Sequence, residues 1–234
     1  MSNIRSMFIG IDLSDPFAKR GRPCTRATIR PNLNCIFDEW EYDVTGSQIV
    51  PDDILPTQFL VAIDGPQGLA GNPECTMRLS ERKLAAAGKS PYSFPPIGKP
   101  YAGFVRGSVK LFYVLSKSHR FRLYGLEKDE SDANLIEVYP GASWPVVAGP
   151  GLPKKTSLPG RKRRYESLLK KGIQFSDEYT AEILPTHDQL DAAMAAYTAY
   201  LFTIGKTIAH GHNPFEDGRH HILREGLMVQ PLDI

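Results

Sequence analysis

The sequence predicts an α/β domain built on a mixed sheet, and three observations lead there. Strand-like apolar runs crowd the first quarter of the chain: "SMFIGIDLS", "TRATIRP", "NCIFDEWEYDV" and "FLVAIDGP". After them helix-like and strand-like segments alternate, the order that lays helices on the faces of a sheet. Composition is that of an ordinary globular chain, 41% hydrophobic and 23% charged. No apolar run approaches the roughly 20 residues that span a bilayer. At 234 residues the simplest partition is one domain covering residues 1–234.

The elements follow in order. "SMFIGIDLS" is an apolar strand, and "FLVAIDGP" is a second buried strand that ends at a Gly-Pro turn. "TMRLSERKLAAAG" has helical periodicity, with Gly88 placed to close it. The Pro/Gly/aromatic stretch "KSPYSFPPIGKPYAGF" predicts a loop from Gly88 to Gly107. That length marks either an insertion with a function or an irregular cover over the core. A helix near "SVKLFYVLSKS" comes next, then "NLIEVYPGASW" as a strand running into a turn. "GRKRRYESLLKKG" is a basic helix, a long helix runs from His187 to about Gly205, and "EGLMVQP" is a short final strand. There is no internal repeat.

Charge is unevenly spread. Between Lys154 and Lys171 stand eight Lys/Arg and one acid, Glu166, while the remainder carries 20 bases and 25 acids. A second segment, "AKRGRPCTRATIR", holds five bases and no acid. Such concentration fits a phosphate-bearing partner, although a solvated basic face has the same composition. The N-terminus "MSNIRSMFIGIDLS" lacks the long apolar region of a secretory signal. Three cysteines (Cys24, Cys35, Cys75), odd in number and without metal-ligand spacing, predict free thiols and a cytoplasmic setting.

The chemistry concentrates in four aspartates. Asp12 and Asp64 each stand at the C-terminal part of an apolar strand. A charged carboxylate there is costly unless it is paired or binds a metal, though an aspartate can also simply cap a turn. In "LPTHDQLDAAMAAYTAYL", Thr186 and Gln189 fit a capping box behind Pro185. Asp188 falls in the first turn, where the helix dipole favours an anion, and Asp191 follows on the same side. Ala192, Ala195, Ala196 and Ala199 continue that side, and residues this small let a helix close onto a sheet, carrying the aspartates toward the strand ends. The plainer alternative has Asp188 as a cap and Asp191 in solvent. Four carboxylates around one rim repel each other, and hard divalent cations relieve the repulsion. Two such ions, Mg2+ or Mn2+, about 4 Å apart clamp the oxygens of an in-line phosphoryl displacement.

"FIGIDLS", "VAIDGPQGL", "IEVYPGASW", "KKTSLPGRKRRYESLL", "HDQLDAAMAAYTAYL" and "EGLMVQP" occur in this order, and the ordered set resembles the domain-of-unknown-function family numbered 429. That family is described as predicted RNase H-like nucleases, and the resemblance spans about Phe8 to Pro231. The "HDQLD" helix start also looks like the C-terminal acidic motif of RuvC-type resolvases of the same superfamily. The resemblance implies an RNase H-like fold: a mixed five-stranded central sheet flanked by helices, with the Pro/aromatic-rich loop as an insertion. Asp12 then matches the aspartate of the first strand, Asp64 the acid of the fourth strand, and Asp188 and Asp191 the acids of the last helix. Glu137 fits the glutamate before the family's "YP" turn, either as an accessory ligand or water-orienting base, or as a paired strand-end acid. Lys154, Lys155, Arg161 and Arg164 fall on the family's basic motif and would bind phosphates.

Secondary candidates are weaker. His187 is of the residue type that shuttles protons near neutral pH, but a histidine at a helix start is commonly a cap or exposed. Tyr165 could stack on a base or fill the apolar side of its helix. "HGHNPFEDGRHH", with His210, His212, His220 and His221, matches no zinc spacing and predicts a solvated loop.

The expectation is a divalent-metal-dependent nuclease with a nucleic-acid substrate and no membrane partner. Two alternatives stand beside it: a non-catalytic nucleic-acid-binding module, and a phosphotransferase or ATPase of the actin/sugar-kinase kind. The latter needs a glycine-rich phosphate loop and a second lobe that this chain does not offer. Oligomeric state stays open, a homodimer being one option.

Overall fold

The computed structural model describes residues 5–126 and 132–233. Residues 1–4, 127–131 and 234 lie outside it, so the reading of one domain over 1–234 extends past the described chain at both ends.

β1 (Met7–Asp12), β2 (Cys24–Ile29) and β3 (Asn34–Trp40) form an antiparallel meander. β4 (Phe59–Asp64) joins β1 in parallel, and β5 (Leu135–Val138) continues in parallel on β4. A five-stranded central sheet was expected, and among the described residues the sheet has eight strands. β6 (Gln174–Phe175) extends it beyond β3, and β7 (Thr207–Asp217) with β8 (Ile222–Pro231) extends it beyond β5, giving the order β6-β3-β2-β1-β4-β5-β8-β7.

Both faces of the central strands are covered, which is why β1 and β4 read as nearly continuous apolar runs. On one face α2 (Ala102–Lys117) packs over Ile9, Ile11, Val61 and Ile63. On the other, α3 (Pro140–Ala148), α4 (Leu158–Lys170) and α5 (His187–Thr203) enclose Phe8, Leu60, Ala62 and Ile136. A fifth helix, α1 (Leu79–Lys83), lies beside the β7–β8 hairpin. Among the described residues no helix is long and apolar enough to cross a membrane, and all three cysteines are free thiols.

Four elements depart from expectation. The helix over "TMRLSERKLAAAG" is only five residues long, because Ala85 takes a positive φ of 50° and the chain turns before Gly88 can act as its cap. α2 begins inside the predicted loop, at Ala102. Gly103 and Gly107 serve close approach there: a Cβ on Gly103 would fall 2.0 Å from the Asp15 carboxylate, and one on Gly107 would fall 2.6 Å from the Pro16 ring. The "YPGASW" turn is the start of α3, with Pro140 at the first helical position, where its missing N–H costs nothing.

The histidine-rich stretch is not a loop. His210 and His212 lie on β7, and His220 and His221 lie in the β7–β8 turn. Its Gly, Asn and Pro suggest a loop, but pairing with the apolar β8 overrides them, and a register shift between His212 and Phe215 accommodates Pro214 on this edge strand.

Candidate functional site: a carboxylate cleft at the strand ends

Asp12 and Asp64 are register partners, the last residues of two adjacent parallel strands. Such partners sit about 4.8 Å apart and point to the same face, here the face covered by α5. Neighbouring Gly10 on that face determines how near the helix comes. A Cβ on Gly10 would lie 2.1 Å from the Ala192 carbonyl oxygen and 2.2 Å from the Ala196 nitrogen, so helix backbone rests directly on strand backbone. The alanine seam predicted for α5 therefore does pack on β1, and Ala192, Ala195, Ala196 and Ala199 are buried.

The start of α5 is fixed by the expected capping box. The Thr186 hydroxyl accepts from the Gln189 N–H at 3.1 Å, and the Gln189 side-chain oxygen accepts from the Thr186 N–H at 2.8 Å. Asp191 is only 3% exposed, so it is not a solvated acid. Its Oδ1 accepts from Trp144 Nε1 and its Oδ2 from Lys155 Nζ, both at 2.6 Å. Asp188 is more open, at 42%, and its Oδ1 lies 2.6 Å from His187 Nδ1, a close contact without hydrogen-bond alignment.

Asp12, Asp64, Asp188 and Asp191 line one cleft of about 730 Å3, together with Lys155, Arg164 and His187. Arg20 and Arg22, from the second basic segment, also line it. Among the described residues no hydrogen bond or ion pair reaches the carboxylate of Asp12 or Asp64, although each titrates against its neighbours. Burial first, then Asp64, Asp191 and Asp188, hold Asp12 well above the usual carboxylate range, while Lys155 pulls the other way. Asp64 is pushed up to about 8, by burial and then by Asp191, again with Lys155 opposing. Burial would lower the Lys155 ammonium, but Asp191 and, more weakly, Asp12 and Asp64 raise it above the usual lysine range. Among the described residues no three His, Cys, Asp or Glu side chains converge closely enough to cage an ion as they stand.

Glu137 lines the same cleft but is already engaged. Arg78, itself without exposure, grips it through two hydrogen bonds, Nη2 to Oε1 at 2.5 Å and Nη1 to Oε2 at 2.7 Å. The Gln67 N–H adds a third at 3.0 Å. Arg78 also pairs with Glu81 at 3.0 Å. Burial alone would lower the guanidinium, yet Glu137 and Glu81 more than offset it. Of the two readings of Glu137, the paired strand-end acid is the one this geometry gives.

The four basic residues divide. Lys155 and Arg164 reach the cleft, whereas Lys154 and Arg161 are not among its lining. Arg161 Nη1 is directed instead at the Leu184 and Pro185 carbonyls, at 3.5 and 3.3 Å, tying α4 to the segment before α5. Arg164 is 8% exposed, anchors Nη1 on the Pro153 and Gly160 carbonyls, and lies over the Trp144 ring at 5.5 Å. Tyr165 is buried, and its hydroxyl donates to the Tyr179 carbonyl at 3.1 Å, so it fills the core and does not present a stacking surface. The histidines are engaged separately: His210 with Gln230, His220 with Asp217 and His221 with Tyr113.

Sequence reasoning missed Arg78 and Trp144, which hold Glu137 and Asp191. Neither carries a local signal, because their partners lie 59 and 47 residues away.

Comparison with known proteins places this geometry in a family without placing it in a reaction. No curated protein and no solved structure matches the chain. A family model described as "Protein of unknown function (DUF429)" matches residues 52–215, a span that holds Asp64, Glu137, Lys155, Asp188 and Asp191 and leaves Asp12 outside it. That match covers well over half of the chain, and the protein belongs to the DUF429 family.

Proposed function

We propose that this protein is a divalent-metal-dependent nuclease, hydrolysing phosphodiester bonds of DNA or RNA in the carboxylate cleft, and that its fold is RNase H-like. The observation that carries the reading is the Asp12–Asp64 pair: two carboxylates at adjacent parallel strand ends, without hydrogen-bonding partners among the described residues, facing the acids of the last helix. That is the arrangement the RNase H-like resemblance requires of the first strand, the fourth strand and the final helix. The eight-stranded mixed sheet accommodates it, with β6, β7 and β8 as additions at its edges.

The donor set fits a hard cation. Mg2+ is held by one or two carboxylates, with water and substrate phosphate completing the shell, and does not require a protein cage. Burial first, and then the neighbouring acids, disfavour the charged forms of Asp12 and Asp64, and such a cation would relieve this. When bound, the ion supplies Lewis-acid polarisation of the phosphoryl oxygen and a more acidic attacking water. The chain's own groups do the rest. Lys155 and Arg164 offer donors to the non-bridging oxygens, Arg20 and Arg22 hold the flanking backbone, and Asp188 with His187 stands at the open side for proton transfer.

The test is cleavage of a panel in Mg2+ and in Mn2+: single-stranded and duplex DNA, RNA, an RNA–DNA hybrid and a four-way junction. Asp64→Asn protein purified in parallel controls for contaminating nuclease. Cutting by wild type alone supports the reading. Binding without cutting in either metal contradicts it and favours a nucleic-acid-binding module.

A further inference from the structure

We propose that the Lys155 ammonium fills the place of a second metal ion, so that the cleft takes one divalent cation per chain where a two-ion site was expected. This rests on the metal-dependent reading above and specifies how that site is built.

A second ion would need Asp191, the buried acid of α5. Both of its oxygens are committed to donors at 2.6 Å, one to Trp144 Nε1 and one to Lys155 Nζ. Trp144 is 2% exposed and fixed in the core, so its claim on Oδ1 is part of the fold. The backbone that carries Lys155 is also held in place. The Lys154 carbonyl before it accepts from the Ser157 N–H and hydroxyl at 3.0 and 2.7 Å. Gly160 approaches the same carbonyl so closely that a Cβ would lie 2.0 Å from it. The turn that carries Lys155 is thereby held against α4.

The ammonium also does for the cluster what a cation does. Its Nζ stands 2.6 Å from Asp191 Oδ2 in the cleft that Asp12 and Asp64 also line. An ammonium has three donors, and the only hydrogen bond of Nζ among the described residues is to Asp191, which leaves two free. Its side chain is 48% exposed and lines the cleft, so those donors can reach a phosphate oxygen. Arg164 lines the same wall, held by the Pro153 and Gly160 carbonyls and lying over the Trp144 ring. Asp12 and Asp64 remain as the pair for one metal ion.

Mn2+ titration of metal-free protein, read by electron paramagnetic resonance of free Mn2+ and by calorimetry, tests the proposal without any cleavage assay. Wild type and Lys155→Arg are expected to bind one ion per chain. Lys155→Met, which keeps the stem and removes the charge, is expected to bind two, and Lys155→Met/Asp191→Asn to return to one. Two ions on wild type would overturn the proposal while leaving the metal-dependent reading intact. No Mn2+ on wild type would overturn both. A folded Lys155→Met protein that binds a single ion with unchanged affinity would also overturn the proposal. If that variant does not fold, the wild-type and Lys155→Arg counts decide it.

Discussion

Gly10 lies beneath Ala192 with no room for a side chain: a Cβ there would sit 2.1 Å from the Ala192 carbonyl oxygen. This contact couples β1 to α5, and it explains how Asp12 on the strand and Asp191 on the helix come to share a cleft. Both atoms it would strike are backbone, so relief requires moving the helix as a whole. Gly10→Ala should destabilise the fold by about 3 kcal/mol, at the upper end of ordinary overpacking, measured as a shift in the urea midpoint at constant slope. A neutral Gly10→Ala would mean that α5 does not rest on β1 in this way.

Trp144 and Asp191 make the second long-range tie of the site. Trp144→Phe keeps most of the apolar volume and removes the donor to Oδ1. Loss of a hydrogen bond to a buried charged group should cost about 1.5–3 kcal/mol. Equilibrium denaturation of the two proteins in the absence of metal checks this.

Glu137 is expected to matter for folding and not for metal. Glu137→Gln removes a charge from the Arg78–Glu137–Glu81 cluster and leaves a buried guanidinium under-compensated. Breaking such a pair from one side costs about 3–5 kcal/mol. The Mn2+ stoichiometry of the folded variant should equal that of wild type, and loss of an ion would make Glu137 a ligand after all.

The Asp12–Asp64 pair predicts a pH dependence with a definite sign. Both carboxyls titrate higher in the folded protein than in the unfolded chain, Asp64 at about 8. The folded state therefore binds more protons across that interval, and its stability must fall as pH rises. In the metal-free protein this loss runs from about pH 4, where an unfolded aspartate ionises, to about pH 8. Asp64→Asn should flatten the slope and melt at a higher temperature than wild type near pH 7. Parallel thermal melts in EDTA across this range measure the difference, and identical slopes would mean that burial and Asp191 do not hold the Asp64 carboxyl above its unfolded value.

What could be read from the sequence was local. Phe8–Ile11 and Leu60–Ile63 announce buried strands because burial on both faces leaves an unbroken apolar run. The Thr186–Gln189 box and the alanine seam announce α5 because a cap and a helical face each repeat within a few residues. The four aspartates were therefore found, and their placement on one cleft follows from strand ends meeting a helix start. Pairings distant in sequence were not legible. β7 is composed like a loop and becomes a strand only against β8. α1 stops early because Ala85 adopts a left-handed conformation that its residue type does not signal. Arg78 and Trp144 look like any arginine and tryptophan until Glu137 and Asp191 are folded against them. Likewise, the basic run 154–164 announces charge, but the fold decides that Lys155 and Arg164 face the cleft while Arg161 fastens the chain.

Asp12 and Asp64, whose carboxylates have no hydrogen-bonding partner among the described residues, are proposed to hold a divalent cation, and thermal unfolding of wild type and Asp64→Asn with and without Mn2+ tests that most directly. At about 100 times its Kd, a ligand of the folded state adds about 2.7 kcal/mol, on the order of 5–10 °C for a chain of this size. Wild type should gain a shift of that order, and Asp64→Asn should gain little or none. An equal shift in both proteins, or none in either, would contradict it.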